Sequence, residues 1–342
     1  MGFDFKQKLP TPQETRELYP VPPEAKKIKK ERDAELRRIF TGESDKFIVI
    51  IGPCSADNED SVCDYVSRLV PVQEKTKDRL VIIPRIYTNK PRTTGAGYKG
   101  IASQPDPEKK PDMLAGLIAV RRMHIRALEE SGLSAADEML YPENFMYVDD
   151  LLSYVAIGAR SVEDQHHRLT VSGFDVASGM KNPTSGDFSV MLNSVYAAQH
   201  KHQFIYRGFE VQTSGNKLAH VVLRGSVNKF GSNRANYHYE DLVRLIRMYG
   251  DMDLENPACI IDTNHSNSGK QYEQQIRIAK EVLHNRKEDA SIRKMVKGLM
   301  IESYIEPGAQ KIGEHIYGKS ITDPCLGWKE SEELLYYIAE HA

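Results

Sequence analysis

Nine side chains able to do chemistry recur at one kind of place in this 342-residue sequence, the polar end of an apolar, β-rich run. They are Cys54, Arg85, Glu138, Arg160, Lys181, Arg224, His265 and Glu302, with Asp323 in the later loop YGKSITDPC. Cys54, His265, Glu302 and Asp323 offer one thiolate, one imidazole and two carboxylates. Such a mixed S/N/O set suits one divalent Mn, Fe, Co or Zn, because hard Mg and Ca rarely accept a thiolate. Each member also has an ordinary reading: Cys54 as a buried inert thiol, His265 as a rim histidine held by hydrogen bonds. The four are remote in sequence, so spacing does not choose. The basic set is Arg85, Lys90, Arg92, Arg160, Lys181 and Arg224. Cations gathered in one place repel unless an anion joins them, and arginine forks match phosphate and carboxylate, so a polyanionic substrate is expected. The competing reading is surface arginines paired with helix carboxylates. Lys90-Pro91-Arg92-Thr93-Thr94 presents two cations and two hydroxyls on a proline-stiffened loop, either a phosphate grip or a solvated turn.

The elements that must position these residues alternate between strand and helix, the pattern of repeated βα units and a parallel sheet. Candidate strands are 47–55, 80–87, 134–140, 154–161, 176–182, 202–208, 219–225, 258–265 and 296–303. Nine candidates compete for eight places. The runs 202–208 and 219–225 have no helix between them, so they are assigned to one position with an inserted hairpin near 207–219. The expected architecture is an α/β fold, a (β/α)8 TIM barrel over 46–342, with active-site residues at the C-terminal strand ends. Residues 1–45 are read as an N-terminal extension with an interface or regulatory role. Within it Pro22-Pro23 and Gly42 bracket one charged helix, whose apolar stripe (Ile28, Leu36, Ile39, Phe40) is narrow. That helix is expected to lie against a neighbour or to be solvated.

Lys and Arg number 46 against 48 Asp and Glu, which leaves no electrostatic footprint for nucleic acid or an anionic membrane. The four cysteines form no CxxC pair, which argues for a reducing compartment. The N-terminal residues lack an apolar leader, and no stretch supplies the ~18 apolar residues of a membrane span. A cytoplasmic protein is expected.

Eight motifs then coincide in order. IGPCS (51–55), KPRTT (90–94), AIGARS (156–161), GMKN (179–182), LRGS (223–226), DTNHSNSGKQ (262–271), ESYIEPG (302–308) and YGKSITDPCLGW (317–328) resemble the class I 3-deoxy-D-arabino-heptulosonate-7-phosphate (DAHP) synthases, of the phenylalanine-, tyrosine- or tryptophan-sensitive type. The resemblance runs from about Lys46 to Trp328. It implies a transferase that joins phosphoenolpyruvate to erythrose 4-phosphate, with metal ligation by Cys54, His265, Glu302 and Asp323. It implies phosphoenolpyruvate binding by Arg85, Lys90, Glu138, Arg160, Lys181 and Arg224, and aldehyde-phosphate binding by Arg92 and Thr93, with Lys90, Cys54 and His265 nearest the chemistry. It further implies a homodimer or homotetramer and an aromatic amino-acid inhibitor. Departures are Asn89 in place of glutamate, one extra residue in GAG before Tyr98-Lys99, and Pro183 after Asn182. A related synthase using another sugar aldehyde and a catalytically silent sensor stand as alternatives.

Overall fold

Eight short runs of Val, Ile, Leu and Ala form a parallel barrel, and their near-continuous apolarity follows from burial on both faces. The computed structural model describes residues 2–92 and 94–342. The barrel strands are β1 (Phe47–Gly52), β2 (Leu80–Pro84), β3 (Ala135–Glu138), β4 (Leu152–Ile157), β5 (Ala177–Lys181), β6 (Ala219–Leu223), β7 (Cys259–Asp262) and β8 (Val296–Glu302). They pair in the order β2-β1-β8-β7-β6-β5-β4-β3. The two ends meet where Arg85 bridges Ala136 and the Ile86 N–H donates to the Ala136 carbonyl at 2.9 Å, which joins β2 to β3. Every strand therefore lies beside its sequence neighbours, as a (β/α)8 barrel requires.

Two packed zones result. One lies between strands and surrounding helices; the other fills the barrel interior and includes Ile48, Ile50, Val81, Ile83, Tyr154, Val222 and Ile260. Leu36, Ile39 and Phe40 belong to the interior zone, so the helix Pro23–Phe40 plugs the N-terminal end of the barrel with the stripe expected merely to lean on a neighbour. A second helix, Pro12–Leu18, precedes it and starts with a capping box between Thr11 and Glu14.

The run 202–208 is not a barrel strand. Gln203–Tyr206 and Phe209–Gln212 form an antiparallel hairpin outside the barrel, and β6 alone takes the sixth position. The hairpin thus sits earlier in the chain than expected. Its residues are exposed or half-buried, in contrast to the fully buried β6.

His220 is the polar exception inside the barrel. Its ring stacks on Phe40, Nδ1–H donates to the Leu218 carbonyl at 2.8 Å, and Nε2 accepts from the Tyr154 hydroxyl at 2.9 Å. Burial lowers its pKa from 6.5 to about 4. The folded state thus refuses a proton that the unfolded chain accepts, so stability is level above about pH 6.5 and falls as pH drops towards 4, by about 3 kcal/mol. Urea midpoints should show this loss in the wild type and less of it in His220→Phe; equal pH slopes would contradict the assignment.

Candidate active site

The C-terminal ends of the strands bring most of the expected side chains into one mouth. Gly52 is in register with Glu302 on β8, and a Cβ on Gly52 would lie 2.3 Å from the Arg85 carbonyl, so only glycine lets β1 and β2 approach this closely. Two residues beyond Gly52 stands Cys54. Arg85, 2% exposed, donates to Glu302 Oε1 at 3.0 Å and to the Pro53 carbonyl, with its guanidinium 3.7 Å over the Tyr87 ring. Lys181, at the end of β5, lies 3.3 Å from Asp262 Oδ2 and 4.0 Å from Glu138 Oε2. Arg224 follows β6; its backbone N–H is held by Asn182 Oδ1 at 2.9 Å, and its guanidinium is near Ser266 and Arg160. Arg160 itself is exposed.

The loop after β2 folds back on itself, with Lys90 N–H donating to the Lys99 carbonyl at 2.9 Å and Arg92 Nε to the Tyr98 carbonyl at 2.8 Å. This fold-back sends the Lys90 ammonium to Cys54 Sγ at 2.8 Å and Asp323 Oδ2 at 2.6 Å. Burial works against the Lys90 charge, but Cys54, Asp323 and Glu302 outweigh it and hold the pKa above the usual lysine range. Conversely, burial and the Glu302 carboxylate push the Cys54 thiol up, against the pull of Lys90. Thr93 lies outside the described residues. Asn89 is buried between Thr88 and Asn144, and Pro183 is accommodated by a bond from Asn182 Nδ2 to its carbonyl.

The four sulfur, nitrogen and oxygen donors come in two facing pairs. Cys54 Sγ is 3.4 Å from Asp323 Oδ2, and His265 Nε2 is 3.8 Å from Glu302 Oε1. Cys54 and Asp323 are within electrostatic reach of Glu302 and His265 respectively. Among the described residues no three His, Cys, Asp or Glu side chains close on one point as placed. Lys90 explains this, because its ammonium takes the position between Cys54 and Asp323. The chemistry of the donors, a thiol, an imidazole and two carboxylates, fits a borderline divalent cation. His265 carries φ +50°, a conformation rare outside glycine. Its Nδ1 lies 2.9 Å from Asp262 Oδ2 without hydrogen-bond alignment, and both atoms are buried with no other hydrogen-bond partner.

Three participants were not singled out from sequence. Asp262 holds Lys181 and His265, Asn264 Nδ2 donates to Glu302 Oε2 at 2.6 Å, and Tyr87 underlies both Arg85 and Lys181. Tyr87 is two residues from Arg85, and same-face alternation carried that signal.

Two stretches spell nucleotide-binding patterns without their context. GAGYKG (95–100) fits GxGxxG but lies in the folded-back loop, and the next helix starts only at Met113. GEHIYGKS (313–320) fits GxxxxGKS, yet it opens no helix, the following one starting at Trp328. Both motifs need a strand before and a helix directly after.

Gly158 supports the mouth from below. A Cβ there would meet Glu138 Oε1 at 2.4 Å, so Gly158→Ala should displace that carboxylate from Lys181. We expect affinity for an anionic ligand to change by about tenfold, near 1.4 kcal/mol, with the melting temperature little altered. Titration calorimetry that found wild-type affinity would show that Glu138 does not set the geometry of the mouth.

A (β/α)8 barrel with cations, carboxylates and a thiol converging at its C-terminal mouth belongs to the barrel enzymes that handle small anions. The chain is a member of the DAHP synthetase I family, whose profile matches residues 21–336. It is 35% identical over 336 residues to the phospho-2-dehydro-3-deoxyheptonate aldolase of Haemophilus influenzae, covering 95% of this chain and 89% of the relative. It is 37% identical over 310 residues to the Trp-sensitive enzyme of that name from Enterobacter agglomerans, covering 88% and 86%. The solved structure of the Francisella tularensis aldolase matches with a TM-score of 0.92 at 29% identity, over 99% of this chain and 98% of that one. The family is one of aldol-type transferases, in line with the resemblance carried by the motifs.

Proposed function

We propose that this chain is a 3-deoxy-7-phosphoheptulonate synthase. It condenses phosphoenolpyruvate, D-erythrose 4-phosphate and water to DAHP and inorganic phosphate, the first step of aromatic amino-acid biosynthesis through shikimate. The observation that carries this reading is the convergence of Lys90, Cys54 and Asp323 beside the Arg85–Glu302 pair, in a chain matched by the family over 21–336.

In this reading Arg85, Lys90, Arg160, Lys181 and Arg224 take the phosphate and carboxylate of phosphoenolpyruvate, with Glu138 orienting Lys181. Arg92 and Thr93 take the aldehyde's phosphate. The enol carbon attacks the aldehyde, water adds to the neighbouring carbon, and phosphate leaves. Two anions that repel in water are held together by fixed cations, which supplies proximity and charge stabilisation. Lys90, charged and half-buried, would hold a proton at Nζ near the reacting oxygen. A divalent Mn, Fe, Co or Zn, held by Cys54, His265, Glu302 and Asp323, would supply Lewis acidity towards the aldehyde oxygen.

Aromatic amino-acid inhibition and a homodimer or homotetramer are part of the proposal, with the 1–45 extension contributing to the interface. Names of relatives that include Trp sensitivity support the first. Exposed Phe3, Phe5, Ile205 and Phe209, on that extension and the hairpin, support the second. Among the described residues no helix is long and apolar enough to cross a membrane.

Phosphate release from phosphoenolpyruvate should require erythrose 4-phosphate and should be slower with five-carbon phosphosugars or N-acetylmannosamine. Faster release with another aldehyde would reassign the substrate, and binding without release would mark a sensor. The same assay with each aromatic amino acid reads the inhibitor.

A further inference from the structure

The opposite end of the barrel carries a second gathering of cations. There the starts of β1, β7 and β8 meet the end of the plug helix and the helices Gln274–Glu288 and Ala290–Met295 around a cavity of about 470 Å³. Lys46, Arg286, Arg293, Lys294 and Lys297 line it, against the single acid Asp45. Lys46 is neutralised by Glu35 at 2.5 Å, whereas among the described residues the other four cations have no ion pair.

Arg286 is the central one. It is 6% exposed, its Nε donates to the Val296 carbonyl at 3.0 Å, and its guanidinium lies 4.3 Å over the Phe47 ring. These two contacts fix the plane of the fork, while its terminal nitrogens have no hydrogen-bond partner among the described residues. Burial lowers the Arg286 pKa to about 10, with Arg293 and Arg79 adding repulsion, and Lys297 is lowered by burial and by Arg286 and Lys294. A preorganised fork with free donors and three like charges around it is arranged to receive an anion.

We propose that this cavity binds a small phosphate dianion, at a site separate from the catalytic mouth. The Arg286 fork grips the phosphate oxygens, and Arg293, Lys294 and Lys297 neutralise the charge. The volume exceeds that of a lone phosphate, which leaves room for the organic part of a phosphate monoester. An occupant here would touch the starts of β1, β7 and β8, whose far ends lead to Cys54, His265 and Glu302.

Calorimetric titration with inorganic phosphate and with glycerol 3-phosphate tests this. The wild type should take up one equivalent per chain at this end of the barrel, in addition to what the phosphate-binding residues of the mouth take. Arg293→Gln/Lys297→Gln, which leaves the core untouched, should weaken one equivalent by about tenfold or more while phosphate release from phosphoenolpyruvate continues. Arg286→Lys keeps the charge but loses the fork, so it should weaken the same equivalent; Arg92→Gln should leave that equivalent as it is and affect binding at the mouth alone. Tighter binding of the ester assigns the site to an organic phosphate, and equal binding assigns it to the phosphate group alone. Phosphate uptake by the double variant equal to the wild type's in stoichiometry and affinity would overturn the proposal.

Discussion

Cys54→Ser should abolish most turnover and lower metal affinity by at least about 100-fold, while the barrel stays folded. Second-sphere changes alone cost about 10–100-fold, and loss of a thiolate donor is the larger injury. The fold should survive because the swap is nearly isosteric and the hydroxyl can still meet Lys90 and Asp323, which now lie 2.8 and 3.4 Å from Sγ. Metal content after gel filtration, circular dichroism and phosphate release check the three parts separately. Wild-type turnover would refute Cys54 as a ligand, and unfolding would make it a core residue instead.

Lys181→Met should be the most damaging change to the basic cradle, because Lys181 is buried and faces two acids. Removing it takes the ammonium from Glu138 and from Asp262, which is 1% exposed and keeps His265 close by, and breaking a buried pair from one side costs about 3–5 kcal/mol. Loss of phosphoenolpyruvate binding should accompany it. The double variant Lys181→Met/Asp262→Asn separates the effects: stability should return in part, since the stranded charge is gone, while binding stays lost. Urea unfolding and calorimetry read the two quantities. Restored binding in the double variant would show that Lys181 serves Asp262 rather than substrate.

The barrel was legible because parallel strands buried on both faces must be short and apolar, as FIVIIG, LVIIP and the CII of CIID are. The strand ends were legible for the converse reason, since a charged residue directly after such a run stands at the mouth. HQFIYRG misled because its β-forming residues also suit an exposed hairpin, and only partners far away in the chain decide between them. Asp262 hid at the last position of a strand, where its function depends on Lys181, 81 residues earlier in number, and on His265. The plug formed by Leu36, Ile39 and Phe40 was hidden too, since a narrow apolar stripe does not reveal whether it meets another helix or the end of a barrel. The Lys90 ammonium between Cys54 and Asp323 was also beyond sequence, because the fold-back of its loop sets that position.

The central claim is that a thiol, an imidazole and two carboxylates hold one divalent cation beside a cradle for phosphoenolpyruvate. Its most direct test follows phosphoenolpyruvate consumption with erythrose 4-phosphate after chelator treatment, then after adding back Mn, Fe, Co or Zn one at a time. The account predicts loss of activity on chelation, recovery with at least one of these ions, and recovery at one equivalent per chain. Full activity in the metal-free protein would contradict it.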